Sequence, residues 1–317
     1  MQTEKGGNNP KKISFDKVVI WGHKLHSHTH SYVHNAFYRA FQYLNYPTYW
    51  FDDQYDVEGF DFSKSLFITE GQVDGKIPLL ADCFYLLHNT TSEKYQLLPL
   101  HNCLQFQVYT HDVLTRPSCT QLAPCIYFDF SGRCLYMPWA TDLLPNEIEQ
   151  VKKHISIPVE KKSVCWIGTI GDGIFGNVEQ LNPFMRACQE NGISFIHRTN
   201  VSMEENQKLI ESSYLAPAIV GQWQKEKGYV PCRIFKNISY GHMGVTNSEV
   251  VYELFERKIV YNSDTYQLFY DAKTKLENLQ QEELLALMDF VKDKHTYINR
   301  IRLLLWSLEQ VYANCGT

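Results

Sequence analysis

Gly228-Tyr-Val-Pro-Cys-Arg-Ile-Phe-Lys-Asn-Ile-Ser-Tyr-Gly-His-Met-Gly-Val-Thr-Asn-Ser248 is the stretch around which the chain can be ordered. It opens with the structure breakers Gly228 and Pro231. Ile234, Phe235 and Ile238 then fall on one helical face, with Lys236 and Asn237 on another. Gly241 and Gly244 stop this short helix, Val245-Thr246 reads as a brief strand, and Asn247 or Ser248 can cap the next helix. Arg233 and Lys236 near a helix start suit a pyrophosphate, because backbone N–H groups and fixed cations both favour anions there. Spacing alone leaves a solvated basic helix end equally open.

The run Arg233-Ile-Phe-Lys236 followed by Gly241 resembles the donor-site signature of GT-B glycosyltransferases, especially the spore-maturation-type branch. There an Arg-x-Phe-Glu helix and a following Gly lie beneath a nucleotide-sugar diphosphate. Lys236 departs from that pattern, standing where the family more often has the Glu that holds the ribose hydroxyls. The resemblance implies an α/β fold of two Rossmann-like domains facing a cleft, with C-terminal helices packing back on the first domain. It also implies transfer of a hexosyl or deoxyhexosyl group from a UDP- or GDP-linked donor, a substrate and not a cofactor, to a glycan or small-molecule acceptor. Donor contacts then fall to Arg233, Lys236, Asn237, Gly168, Thr169, Asn247 and Ser248. Retaining members carry two Glu residues bracketing the donor helix. Here Lys236 and Gly228 occupy those positions, which implies inversion. No Asp-x-Asp motif occurs, so no metal is expected, and cations offset the leaving diphosphate instead.

Length and composition agree with two domains. A chain of 317 residues is long for one core. A hydrophobic fraction of 44% and a charged fraction of 21% fit an ordinary globular protein. The net charge of −5 argues against a general nucleic-acid binder, so no nucleic-acid partner is expected. Nine cysteines without a Cys-x-x-Cys pair and no signal peptide lead to an expectation of free thiols and a cytoplasmic location. No apolar run approaches the roughly 20 residues that span a bilayer.

Along the chain, residues 1–12 read as a disordered tail and 13–145 as an acceptor-side domain. Lys17–Trp21 is a buried strand, followed by a polar loop, a helix carrying Val33, Phe37, Ala40, Phe41 and Leu44, and a second strand at Thr48–Phe51. Ser65–Thr69, Cys83–Leu87 and Leu104–Tyr109 read as strands, and Cys125–Phe130 with Arg133–Met137 as a hairpin. Residues 146–162 read as charged and weakly structured. A donor domain over 160–280 restarts with strand Ser163–Ile167 and a glycine-rich loop, Gly168–Gly176. A helix from Pro183 to Asn191-Gly192, strand Ile193–Ile196, a capping-box helix from Ser202 and strand Leu215–Val220 follow. Two helices, about 281–294 and 296–313, close the chain in a C-terminal unit over 281–317.

Five of the twelve histidines lie between His23 and His34, after the first strand. Open α/β sheets place ligands at such strand ends. A glycosyltransferase needs a base for the acceptor hydroxyl, and imidazole suits that near neutral pH. His30 is the first candidate and His28 the second. Glu70 and Asp53 end strands on the same side and could contact the acceptor or orient a histidine. A rival reading takes His26-Ser-His28-Thr-His30 as the His-x-His opening of a metal-dependent hydrolase or phosphoesterase, with further ligands among His88, His101, His111, Asp112 and His197. That reading requires a barrel of strand–helix repeats. A non-catalytic nucleotide-sugar-binding module is the third.

Overall fold

The computed structural model describes residues 12–28, 30–90, 93–157 and 162–314. Apart from Lys12, the expected tail lies outside these residues. Strand β1 (Lys17–Trp21) leads through the histidine loop into α1 (Ser31–Tyr43), then β2 (Thr48–Phe51), β3 (Ser65–Glu70), β4 (Phe84–His88) and β5 (Cys103–Gln107). β6 (Cys119–Ala123), β7 (Ile126–Asp129) and β8 (Cys134–Tyr136) complete one eight-stranded sheet, ordered β2-β1-β3-β4-β5-β8-β7-β6. From β2 to β8 the pairs are parallel, and β7 runs antiparallel to both neighbours.

This sheet is covered on both faces, which is why its strands read as unbroken apolar runs rather than alternating ones. Val18 and Ile20 point into a core with Phe37, Phe41 and Leu104, while Val19 and Trp21 face a second cluster with Phe67, Tyr85 and Tyr95. From β1 the chain goes first to β2 on one side and then to β3 on the other. A crevice opens at such a reversal, at the carboxyl ends of the strands.

The remainder comprises α2 (Pro145–Lys152), β9 (Ser163–Ile167), α3 (Val178–Glu190), β10 (Ser194–Arg198), α4 (Met203–Glu211), α5 (Gln222–Glu226) and α6 (Cys232–Ser239). β11 (Val245–Thr246), α7 (Glu249–Leu254), β12 (Val260–Tyr261), α8 (Thr265–Glu277), α9 (Gln281–Lys294) and α10 (Tyr297–Asn314) follow. β9 pairs in parallel with β10, and β11 with β12. Isolated parallel bridges at Val164–Leu215 and Ala218–Thr246 connect them. The strand expected over Leu215–Val220 is reduced to those bridges because Pro217 has no N–H to give a ladder.

Three further expectations need correction. Residues 146–162 are not weakly structured throughout: α2 buries Ile148 and Val151. Residues 158–161 of that junction lie outside the described residues. α3 begins at Val178, with Pro183 inside it, rather than at Pro183. The segment 281–317 is not one unit, since α9 inserts Leu284, Leu287, Met288 and Val291 into the core of the later half, whereas α10 packs Ile298, Ile301, Leu304 and Leu308 against the first sheet.

The chain thus passes between its two large cores at residues 138–141 and again at 294–296. Arg300, with no exposed surface, binds both passages. Its Nε donates to the Pro138 carbonyl at 2.7 Å, Nη2 to Trp139 at 3.0 Å and Nη1 to Lys294 at 3.2 Å. Nη2 also donates to His295 Nδ1 at 2.9 Å. Burial pulls the guanidinium down to about 10, still charged at neutral pH. Hydrogen bonds to charged groups contribute about 1.5–3 kcal/mol each, so Arg300→Met should destabilise the fold by about 3 kcal/mol or more. Urea unfolding checks this; a loss below about 1 kcal/mol would mean that the carbonyls find other partners.

Candidate active site

Parallel register sets the site. Trp21 pairs with Thr69, and Glu70 with His88, so the ends of β1, β3 and β4 stand side by side at the crevice. Gly22 is the first residue of the loop, and a Cβ there would lie 2.2 Å from the His34 ring. The missing side chain lets His34 pack beneath the loop, with Nδ1 3.3 Å from the His23 carbonyl. Ser31, buried at the start of α1, staples the loop from the other side. Its hydroxyl donates to the His28 carbonyl at 2.6 Å and accepts the His26 N–H at 3.1 Å. Thr29 lies outside the described residues.

Glu70 is fully buried at the floor. His30 Nδ1 lies 3.3 Å from its Oε1, and His23 Nε2 lies 3.5 Å from its Oε2. These are ion-pair contacts without hydrogen-bond alignment. Burial would raise the Glu70 carboxyl, but the close contact and charge of His30, with His34 and His23 behind it, outweigh burial and hold it below the usual value. His28 stacks on His23 at 4.2 Å, and burial with the neighbouring histidines lowers its pKa. His88 sits edge-on to His30 at 5.5 Å and stacks on Phe106. Its Nδ1 lies 3.2 Å from the Phe106 carbonyl, and burial pushes it down to about 4.

His30 and Glu70 are thus brought together, with His28 beside them. Asp53 is not part of this group, because its carboxylate accepts Trp21 Nε1 at 3.0 Å and the N–H groups of Gly75 and Lys76 at 2.7 and 2.9 Å. It fastens a loop. His26 is exposed and turns to the Tyr32 hydroxyl, 3.2 Å away. Of the further ligands expected for a hydrolase, His88 lies beside His30, but the others are dispersed. His101 lies against Tyr312, His111 binds the Glu226 carbonyl, Asp112 pairs with Lys227, and His197 contacts the Gly168 carbonyl. An open sheet replaces the barrel that reading needs.

On the other side, Arg233 lies in the first turn of α6. Its Nε and Nη2 donate to the Ile167 carbonyl at 3.1 and 2.9 Å, and its guanidinium stacks on Trp166 at 3.8 Å. Gly168 has φ +126°, and a Cβ there would meet Arg233 Nη2 at 2.5 Å, so glycine is required beneath this side chain. Thr169 is exposed on the same loop. Lys236 pairs with Asp142 at 2.8 Å, and Tyr240 donates to the same carboxylate at 2.8 Å. Burial lowers Lys236, but Asp142 outweighs it and holds the ammonium above its ordinary value. Arg39 of α1 donates to the Asp142 carbonyl at 2.8 Å, so α1 and α6 meet at the same residue.

The remaining expected donor contacts are committed to the interior. Asn237 Nδ2 donates to the Ala216 carbonyl at 2.6 Å, Asn247 bridges both backbone groups of Val220, and Ser248 is buried. His23 and His34 join the constellation without having been singled out for it. Asp142 joins them, a residue the sequence marks at the domain junction for donor contact or linker packing. Strand-end position was the available signal for His23, and a polar residue at a chain passage for Asp142.

No protein-family profile matches the chain, and no curated protein is similar to it in sequence. Solved structures are similar in fold. An alpha-glucosyltransferase in complex with UDP and a 13-mer DNA containing a central A:G mismatch superposes with a TM-score of 0.54 at 10% identity, over 91% of this chain and 99% of that one. The alpha-glucosyltransferase with UDP and a 13-mer DNA containing a HMU base gives 0.49 at 8% identity, over 91% and 99%. A DNA-modifying beta-glucosyltransferase gives 0.43 at 10% identity, over 95% and 98%. The chain thus shares the fold of that UDP-bound alpha-glucosyltransferase, a mixed α/β architecture with a large, mainly parallel sheet.

The exclusion of nucleic acid as a partner is overturned by the first of these structures, in which a protein of this fold holds DNA. The charge argument failed because a net charge sums the whole surface, whereas a binding strip is local. Among the described residues, no helix is long and apolar enough to cross a membrane.

The buried histidines make stability pH-dependent. His88 is held at about 4, and His295 well below its ordinary value by burial and by the charges of Arg300 and Lys294. Both stay neutral in the fold while the unfolded chain takes up protons near 6.5. Their contribution is complete above about pH 6.5 and is lost as pH falls toward 4. For His88 alone the loss by pH 5 should be about 2 kcal/mol. Urea midpoints at pH 7 and pH 5 should converge by that amount in His88→Gln, and an unchanged difference would show that His88 does not titrate this way.

Proposed function

We propose that this chain transfers a sugar, with inversion, from a UDP- or GDP-linked nucleotide-sugar to an acceptor hydroxyl. The observation that carries the reading is His30 held by the buried Glu70 on one side of the crevice, with Arg233 opposite, in a GT-B fold. Residues 13–145 act as the acceptor-side domain and 160–280 as the donor domain. The Arg233-Ile-Phe-Lys236 run supports kinship with the spore-maturation-type branch.

Glu70 faces His30 Nδ1, so that nitrogen carries the proton and Nε2 presents its lone pair to the acceptor. His30 Nε2 takes the hydroxyl proton while the oxygen attacks the anomeric carbon. The bond from that carbon to the diphosphate oxygen breaks, and the nucleoside diphosphate leaves with its charge toward Arg233 and the first turn of α6. Glu70 stabilises the imidazolium that forms. No step needs a metal. The acceptor is a hydroxyl on a glycan, on a small molecule or on DNA, the last drawn from the fold-mate bound to DNA.

Release of nucleoside diphosphate, measured over a panel of donors with glycan and DNA acceptors, tests the reading; release with no combination would remove it. Arg233→Ala should weaken nucleotide binding by roughly 30- to 100-fold, the equivalent of a charge-assisted contact of about 2–3 kcal/mol. Titration calorimetry with UDP and GDP reads this directly, and unchanged affinity in a folded variant counts against the donor site. General-base help is typically worth about 10²- to 10⁴-fold. His30→Ala should therefore lower turnover by that factor and leave donor affinity nearly intact. The anomeric configuration of the product, read by NMR against that of the donor, must be inverted.

A further inference from the structure

His23, His28 and Glu70 offer one donor atom each, all within 4.8 Å of one another. A tetrahedral ion about 2.0–2.1 Å from each ligand would bring such atoms to roughly 3.3 Å, so the cluster stands about one side-chain adjustment from a coordination sphere. Two of the three ligands lie on a loop whose rotamers can supply that adjustment.

A second observation points the same way. Glu70 has no exposed surface, and neither of its oxygens has an aligned hydrogen bond. His23 Nε2, turned toward it, is also buried without one. In place of water this carboxylate has only two imidazole contacts, at 3.3 and 3.5 Å, which leaves its oxygens open to a closer ligand. His28 gives up little to join: its Nδ1 accepts only a long 3.3 Å bond from the His30 N–H. That bond is lost whichever ring nitrogen takes the metal.

We propose that His23, His28 and Glu70 form a binding site for a borderline divalent cation of the zinc type. Two imidazoles and one carboxylate select such ions over magnesium or calcium, which prefer all-oxygen shells. Three protein ligands leave a fourth position for water or an oxygen ligand. The ion takes the Glu70 oxygen that faces His23 and draws the carboxylate's charge away from His30, so it opposes the base rather than assisting the transfer. This opposition rests on the transferase reading, but the binding itself does not.

Zinc alone, titrated calorimetrically into metal-free full-length protein at neutral pH, should bind with one-to-one stoichiometry. His23→Gln and His28→Gln should each weaken binding by at least about 10- to 100-fold, the loss that even outer-sphere partners of a metal cause. Glu70→Gln should do the same. If that buried substitution fails to fold, the two histidine variants decide alone. His26→Gln, on the exposed part of the same loop, should bind zinc as the parent does. No binding to the parent, or affinity equal to the parent's in the two histidine variants, overturns the site. Loss in His26→Gln as large as in His28→Gln overturns it too, by placing the ion on the loop surface. Because the reading is heat of binding on unliganded protein, a transferase assay without turnover leaves the result unaffected.

Discussion

The constraint on which this architecture turns is a fully buried cation with no acidic partner among the described residues. Arg300 satisfies its charge with the carbonyls of Pro138, Trp139 and Lys294 and the lone pair of His295. Those groups belong to the two segments by which the chain passes between its cores. A lysine could not hold them in one plane, because only a guanidinium presents a rigid fork of donors. Thr141 adds a backbone bond to His295 at 3.0 Å and a hydroxyl contact to Ser239 in α6 at 2.7 Å. The Arg300 cluster therefore fixes where α6 stands relative to the first sheet, and with it the distance between Arg233 and the histidine loop.

On the first sheet, the same economy operates through topology. The reversal of strand order around β1, with β2 on one side and β3 on the other, makes a crevice whatever side chains line it. In this chain a buried carboxylate ends β3, and a glycine ends β1 so that His34 can pack beneath the loop. Glu70 is kept ionised by imidazoles rather than by water. Each of its oxygens faces a different histidine, so the carboxylate governs the orientation of the loop as well as its charge.

Much of this was legible in the sequence. Apolar runs located β1 to β5, β9 and the hairpin, and 3.6-residue periodicity located α1, α9 and α10. His30 and Glu70 were identified as strand-end groups, although their contact requires the parallel register of β1 and β3, which no local pattern encodes. Asp53 misled because a strand-end carboxylate looks the same whether it faces a ligand or, as here, three donors of its own fold. Asn237 and Asn247 misled similarly: polar residues near a glycine-rich turn were assigned outward, yet the backbone of Ala216 and Val220, on either side of Pro217, takes their hydrogen bonds. α8 went unread because its moderate amphipathicity lies among charged residues, despite the Asp264 cap.

The departure at Lys236 bears on how the proposed donor site distributes charge. Where the resembled family has a carboxylate on the helix, this chain has an ammonium there and the carboxylate at Asp142, 2.8 Å away. The pair is self-compensating, so Lys236 brings little net charge to a diphosphate. Arg233 differs. Its protein partners are a neutral carbonyl and the face of Trp166, and burial lowers its pKa without any carboxylate to restore it. A guanidinium does not lose its proton under these conditions, so this half-buried charge keeps a demand for an anion that no carboxylate among the described residues meets. A phosphate group meets that demand bidentately. Of the two cations read from the sequence, Arg233 is thus the one whose surroundings favour an incoming diphosphate, while Lys236 serves chiefly to hold α6 to Asp142.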